Sequence, residues 1–275
     1  MKGLLSGAVL MVTAMSLTAN AQQTPANVNQ KYYQINGAFY DIQNVNGQAQ
    51  YIALSDKEVE RRRLMTEDSY EAPMGQLFNE ADYMAGKTWL HQYNNVIVIN
   101  KKAKGPGAQT IRLYTNGRLI LTTKVSTGKE DIEQVGVGQA LLRSLPFVKG
   151  TTTSHWRHTS RGFYTVKRVE GAAYRSSESG FQMPYAMFFN DKRGLAVHQV
   201  PPDIKGGNSV LGKRASSGCV RVHADFIRTI NFSVLNAGKG QTPVLDSRNG
   251  RPVLDEAGNV KYQSGWKSIV IVEEY

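Results

Sequence analysis

One cysteine and one of five histidines stand in a pattern that suits nucleophilic catalysis. Cys219 follows Ser216-Ser217-Gly218 and precedes Val220-Arg221-Val222, and His198 lies 21 positions earlier in Leu195-Ala196-Val197-His198-Gln199-Val200. A cysteine just after Ser-Ser-Gly sits on a tight turn, where Gly218 lets the backbone bend and several amides point at one spot. Donors aimed in that way stabilise the oxyanion of an acyl transfer. A free thiol titrates at roughly 8.5, and a neighbouring imidazole commonly lowers that value, so a Cys219–His198 pair would supply thiolate near neutral pH. His198 ends an expected strand, and the chemistry requires the fold to bring its ring to the sulfur. Two other fates of the thiol compete: burial as an inert side chain, or a link to another chain, since a single cysteine allows no intramolecular disulfide.

The elements that must position this pair are mostly strands. Val96 to Ile99 is a short apolar run, and Ile111 to Tyr114 and Leu119 to Val125 flank Asn116-Gly117, the dipeptide that best tolerates positive φ at both hairpin turn positions. Phe163 to Val169, Ala186 to Phe189 and Ala196 to Val200 are further candidate strands. Thr242 to Leu245 and Ser268 to Val272 are expected to close the sheet. Between them, Ala224 to Phe232 places Phe226, Ile227 and Ile230 on one helical face. Upstream, Lys31 to Leu54 alternates around Asn36-Gly37 and Asn46-Gly47, as short strands with tight turns do. Ser55-Asp56-Lys57-Glu58 is a capping box that opens a helix running to near Glu67. A weaker helical stretch runs from Gly75 to His91. The expected fold is mainly β, a sandwich or barrel with one or two short helices, preceded by a small α+β segment. The sequence shows no repeats and no metal-ligand spacing.

Around Cys219 the chain resembles the L,D-transpeptidase catalytic domain family, also called YkuD. That family carries a histidine, a spacer, then Ser/Thr-His-Gly-Cys, an apolar residue, and Asn or Arg. Here His198 is followed by the 17 residues Gln199 to Ala215 and then Ser216-Ser217-Gly218-Cys219-Val220-Arg221. Val125-Ser126-Thr127-Gly128-Lys129 and Thr159-Ser160-Arg161-Gly162-Phe163-Tyr164 are similar to the family's Ser-Thr-Gly and Thr-x-x-Gly-x-Phe signatures, and the resemblance covers about Asn94 to Tyr275. Ser217 stands where the commonest members have a second histidine, a variant that occurs in a branch of large periplasmic members. Gln199 stands where Gly or a small residue is frequent, which is tolerable if only its backbone carbonyl orients the imidazole.

The resemblance implies a ping-pong acyl transfer in which Cys219 attacks the carbonyl of the third residue of a tetrapeptide stem and His198 moves the thiol proton to the departing D-alanine. The amides of Ser217, Gly218 and Cys219 would hold the oxyanion. Arg221 would fix a substrate carboxylate or brace the loop. Ser216, Tyr174 and Tyr185 are further candidate substrate contacts, the tyrosines on a segment, Glu170 to Met187, that forms either a lid or a surface loop. An amine of a second stem would resolve the thioester into a 3→3 cross-link, with no metal or cofactor needed and with acylation by carbapenems expected. Peptidoglycan stems are then both donor and acceptor partners. A carboxypeptidase that resolves the thioester with water, and a non-catalytic wall-binding module, remain as alternatives. His155, His158 and His223 read as incidental.

Composition agrees with an exported globular protein. The 275 residues are 41% hydrophobic, with 33 Lys+Arg against 22 Asp+Glu and a formal charge of +11. Residues 1–21 read as a cleavable signal peptide, with Lys2 as n-region, Leu4 to Ala19 as apolar stretch and Ala19-Asn20-Ala21 as cleavage site. This implies the periplasm or cell wall and no lasting membrane span. An exported basic protein meets wall polyanions rather than nucleic acid, although solubility alone would also account for the charge. The resulting division is 1–21 signal peptide, 22–93 N-terminal segment with a flexible start, and 94–275 catalytic domain.

Overall fold

The computed structural model describes residues 33–35, 37–45, 48–56, 58–59, 71–136, 152–177 and 180–275. The expected signal peptide, the leader after it and the Asn46-Gly47 turn lie outside them. The chain divides into two units, Met1–Leu54 and Ser55–Tyr275. In the first, β1 (Tyr33–Ile35), β2 (Ala38–Val45) and β3 (Gln48–Ala53) form an antiparallel sheet in that order. In the second, the Ser55 hydroxyl accepts the Glu58 amide at 3.3 Å, as the capping reading requires. The remainder of that expected helix, 57 and 60–67, lies outside the described residues.

A nine-stranded sheet forms the body of the second unit. Its strands are β4 (Asn95–Asn100), β5 (Thr110–Thr115), β6 (Arg118–Ser126), β9 (Gly162–Thr165), β10 (Arg168–Val169), β11 (Met187–Asn190), β12 (Leu195–Gln199), β13 (Val220–Val222) and β16 (Ser268–Glu273), in the order β10-β11-β12-β13-β6-β5-β4-β16-β9. Two antiparallel ribbons stand apart from it, β7 (Asp131–Gly136) with β8 (Thr152–Arg157), and β14 (Lys239–Pro243) with β15 (Tyr262–Trp266). Asn116 and Gly117 turn β5 into β6 with φ of 47° and 76°, the mirror-image turn their types favour.

β4 and β16 are buried at every position and pair in parallel towards one end of the sheet, inside the last strand β9. Their uninterrupted apolar runs have a simple cause: both faces of the sheet are covered. Ile97 and Ile99 face a core shared with Leu113, Val197, Val220, Val270 and the helix α2 (Ala224–Ala237), whose Ile227, Ile230 and Val234 are fully buried. Val96 and Val98 face a second core with Phe78, Tyr83, Leu90, Tyr93, Ile269 and Ile271. Tyr83 belongs to the short helix α1 (Glu80–Met84), capped by the Asn79 side chain, and Leu90 to a 3-10 turn over Trp89–Gln92.

Phe78, Tyr83, Leu90 and Tyr93 pack on Val96, Val98, Ile269 and Ile271, so residues 71–93 pack with the body. Three expectations are corrected. Thr242–Leu245 does not close the sheet, since β14 pairs only with β15, and β16 runs inside the sheet rather than at its edge. Phe226 is 39% exposed, and Val234 continues the buried stripe of α2 in its place. The Phe163–Val169 run is split into β9 and β10 because Val166 donates to Ser268 while Lys167 donates to Phe188. These two adjacent residues join opposite edges of the sheet, so it curls back on itself.

Beside the curl lies a buried polar cluster. The fully buried Lys101 ammonium sits 2.9 Å from Glu71, 3.0 Å from Glu130 and 3.9 Å from Glu274, while Arg161 pairs with Glu71 and Glu274 and Arg214 with Glu274. Three cations face three carboxylates, which compensates the cost of desolvating each. Burial still pushes the Glu130 carboxyl above its usual range, with Lys101 opposing the shift. Lys101→Met would leave two carboxylates short of a partner. The expected result is a loss of about 3–5 kcal/mol of unfolding free energy, measured by urea denaturation.

Candidate active site

The loop that carries the cysteine is held by its backbone. The amides of Ala215 and Ser216 both donate to the Thr127 carbonyl at 2.9 Å, and Lys129 donates back to Ser216 at 3.0 Å. Thr127 is in turn fixed by the buried Gln109 side chain, whose Oε1 accepts the Thr127 amide and whose Nε2 donates to the Lys101 carbonyl. Thr159 Oγ1 donates to the Gly218 carbonyl at 2.6 Å and accepts the Gly128 amide at 2.9 Å. The Ser126-Thr127-Gly128 and Thr159 motifs are therefore clamps on the loop. Gly218 has φ 138°, and a Cβ there would stand 2.8 Å from Leu195 Cδ2 and 2.9 Å from the His158 carbonyl oxygen. Gly128 is just as closely approached, by the Arg157 carbonyl and the His158 backbone.

The pairing of β12 with β13 places the side chains. The two strands run parallel with Val197 opposite Val220 and His198 opposite Arg221. Val197, Val220 and Val222 enter the core, so by the period of two, His198, Cys219 and Arg221 emerge on the other face. There they line one cavity of about 260 Å³. Ser216, Ser217, Arg193, Gly194, Ser176, Phe181 and Met183 line it with them. Among the described residues that line it, none is a carboxylate.

His198 is almost fully buried, and its Nδ1 lies 2.6 Å from the Gln199 carbonyl. A carbonyl only accepts, so Nδ1 carries the hydrogen and Nε2 keeps its lone pair. Burial pulls the imidazole down to about 4 with help from the Arg221 charge, and the Gln199 carbonyl opposes the shift. The half-buried Cys219 thiol is pushed up by the same desolvation, against the Ala196 amide and the charges of Arg221 and Arg193. Sγ donates to the Gly194 carbonyl at 3.4 Å, and no hydrogen bond joins it to His198. Burial thus favours the neutral form of both groups, and Nε2 keeps the lone pair that a base needs.

The remaining expected residues fall as follows. Ser216 Oγ donates to the Cys219 carbonyl at 2.5 Å and accepts the Gly218 amide at 3.0 Å, which makes Ser216 a brace and removes Gly218 from the expected oxyanion donors. The amides of Ser217 and Cys219 have no hydrogen-bond partner among the described residues. Arg221 Nη1 donates to the Ala215 carbonyl at 3.3 Å, while its Nε has no partner. Tyr174 and Tyr185 do not line the cavity. Tyr174 packs edge-on against Phe188 beneath it, and Tyr185 packs against Phe232 of α2 under the Arg228 guanidinium. His223 caps α2, whereas His155 reaches the cavity rim. Sequence reasoning missed Arg193, whose only signal is its place in the short turn between the two strands that flank the site.

The chain belongs to the L,D-transpeptidase catalytic domain (YkuD) family, whose model matches residues 94–245. No curated protein matches it. Among solved structures it is similar to an L,D-transpeptidase from Xylanimonas cellulosilytica, at 18% identity over 66% of this chain and 60% of that one with a TM-score of 0.37. It is likewise similar to one from Mycobacterium tuberculosis, at 16% identity over 66% and 58% with a TM-score of 0.38. An L,D-transpeptidase from Stackebrandtia nassauensis aligns at 15% identity over 71% and 67% with a TM-score of 0.33. The chain spans about 60% of the length of the first two.

Two outcomes follow from this geometry. Gly218→Ala forces a side chain into a backbone region that is nearly reserved for glycine, at a cost of about 1–3 kcal/mol before the contacts with Leu195 and His158 are counted. The altered loop should abolish turnover even where a thermal melt shows the protein folded. His198 binds its proton more weakly in the native state than its ordinary 6.5, so the unfolded chain protonates first as pH falls, and native stability declines between about 6.5 and 4. His198→Gln should flatten that part of a stability–pH curve, and an unchanged slope would contradict the assignment.

Proposed function

We propose that this chain is an exported peptidoglycan L,D-transpeptidase that works through a Cys219 acyl-enzyme. The observation that carries the reading is the shared cavity. A thiol, an imidazole with a free Nε2 and two uncommitted amides meet at one pocket whose described lining carries arginines and no acid. Family membership supports the same reaction class. Among the described residues no helix is long and apolar enough to cross a membrane. Export rests on the sequence of residues 1–21.

In the first half-reaction Cys219 Sγ forms a bond to the carbonyl carbon of the third stem residue as His198 Nε2 takes the thiol proton. The oxyanion forms against the amides of Ser217 and Cys219. Collapse breaks the bond to D-alanine, whose nitrogen receives the proton held by His198, and leaves a thioester. An amine of a second stem then attacks that carbonyl, gives up a proton to His198, and displaces the sulfur, which is reprotonated. The product is a 3→3 cross-link. Since burial favours the neutral form of both groups, the proton transfer and the attack are coupled. Arg221, which lines the cavity, would meet a stem carboxylate, a task for which a fixed planar donor is suited.

Incubation of the mature protein with disaccharide-tetrapeptide, read by mass spectrometry, should give cross-linked dimer and free D-alanine. Cys219→Ala should abolish both that product and the mass shift left by a carbapenem. Tripeptide without dimer would assign the chain to L,D-carboxypeptidase activity instead. Intact wall binding with no adduct at Cys219 would make it a binding module.

A further inference from the structure

Arg193 is the one charged residue beside the sulfur to which neither the sequence pattern nor the reaction assigns a part. It sits in the turn between β11 and β12, where the Asn190 side chain accepts its amide at 3.3 Å and Gly194 donates to Asp191 at 3.1 Å. From there its guanidinium reaches back to the segment that follows β8. Nη1 donates to Ser160 Oγ at 2.7 Å, Nη1 and Nη2 each lie 3.0 Å from a ring nitrogen of His158, and Nη2 reaches the Trp156 carbonyl at 3.4 Å. That same segment supports the cysteine loop, through the Thr159 hydroxyl on the Gly218 carbonyl and through the close approach of the His158 carbonyl to Gly218. The residue after Arg193 supplies the carbonyl that accepts the thiol. The contacts close a ring around the sulfur, running from Cys219 to Gly194, Arg193, Ser160, Thr159 and Gly218.

We propose that Arg193 is a positioning residue that acts through Cys219. Its guanidinium locks the Gly194 turn to the shelf beneath Gly218 and holds a fixed positive charge at the wall of the cavity beside the sulfur. The other charged or titratable groups lining the cavity among the described residues are Arg221, His198 and His155, and none of these is a carboxylate that would cancel the field. Behind the shelf, Tyr164, Glu71 and Glu130 act on Arg193 and help to keep its charge, which burial alone disfavours. Arg193 also favours the thiolate electrostatically, in the same direction as Arg221. Its donors are already committed to protein partners, so it works as a placed charge and not as a hand for substrate.

This inference rests on the nucleophilic role of Cys219, yet its test needs no turnover. The rate of Cys219 alkylation by iodoacetamide, followed against pH by intact mass in the full chain, reports the thiol midpoint directly. In Arg193→Gln the midpoint should rise by about one unit, which is a roughly tenfold slower reaction at neutral pH. Arg193→Lys should restore most of the midpoint by returning the charge. Ser160→Ala, which frees one of the guanidinium's partners without removing the charge, should shift the midpoint upward by a smaller amount and serves if Arg193→Gln does not fold. A midpoint unchanged in Arg193→Gln, or in Ser160→Ala where the first variant is lost, overturns the proposal. In turnover, the same variants should lower kcat with little change in KM. Failure of the proposed function would appear as an inactive wild type with the midpoint shifts intact.

Discussion

The site depends on the parallel register of β12 and β13. Side chains alternate along a strand, so placing Val197, Val220 and Val222 in the core compels His198, Cys219 and Arg221 to leave on the other face. A slip of one residue would bury an imidazole and a guanidinium among valines and expose the valines, a cost that no neighbouring contact offsets. The core and the chemistry are therefore specified by the same pairing. Selection on either one constrains the other.

Around that pairing the fold places polar groups where backbone must be gripped. The Thr127 carbonyl takes two amides of the cysteine loop, and Thr159 takes its Gly218 carbonyl, so the loop is fixed without using its side chains. Gln109 and Lys101 stand behind Thr127, and the Lys101 cluster ties them to Glu71 upstream and to Glu274 at the end of β16. A chain of buried, satisfied hydrogen bonds connects segments distant in sequence to one rigid turn. Rigidity of this kind suits a site whose donors must be in place before charge develops.

Much of this was legible in the sequence where the signal was local. The Asn116-Gly117 hairpin, the apolar β4 and β16, and the Gly218-Cys219 turn follow from turn chemistry and pattern, which act over a few residues. The membership of residues 71–93 in the body was not legible, because Phe78, Tyr83, Leu90 and Tyr93 follow no single period and meet only against the sheet. Nor was the interruption after Thr165, which exists because Val166 and Lys167 bond to different strands. At the site, His198 and Cys219 could be placed on one rim from spacing and pattern, but the downward shift of the imidazole and the upward shift of the thiol arise from burial, which a motif does not encode. The tyrosines of the Glu170–Met187 segment were plausible by type. Its turns direct Ser176, Phe181 and Met183 into the cavity instead.

The raised thiol has a further effect on the lifetime of the molecule. Peroxides, and disulfides on other molecules, react with the thiolate far faster than with the protonated sulfur. A sulfur whose burial favours the protonated form is to that extent shielded from sulfenylation and mixed-disulfide formation. The desolvation that disfavours its ionisation therefore also favours its reduced form.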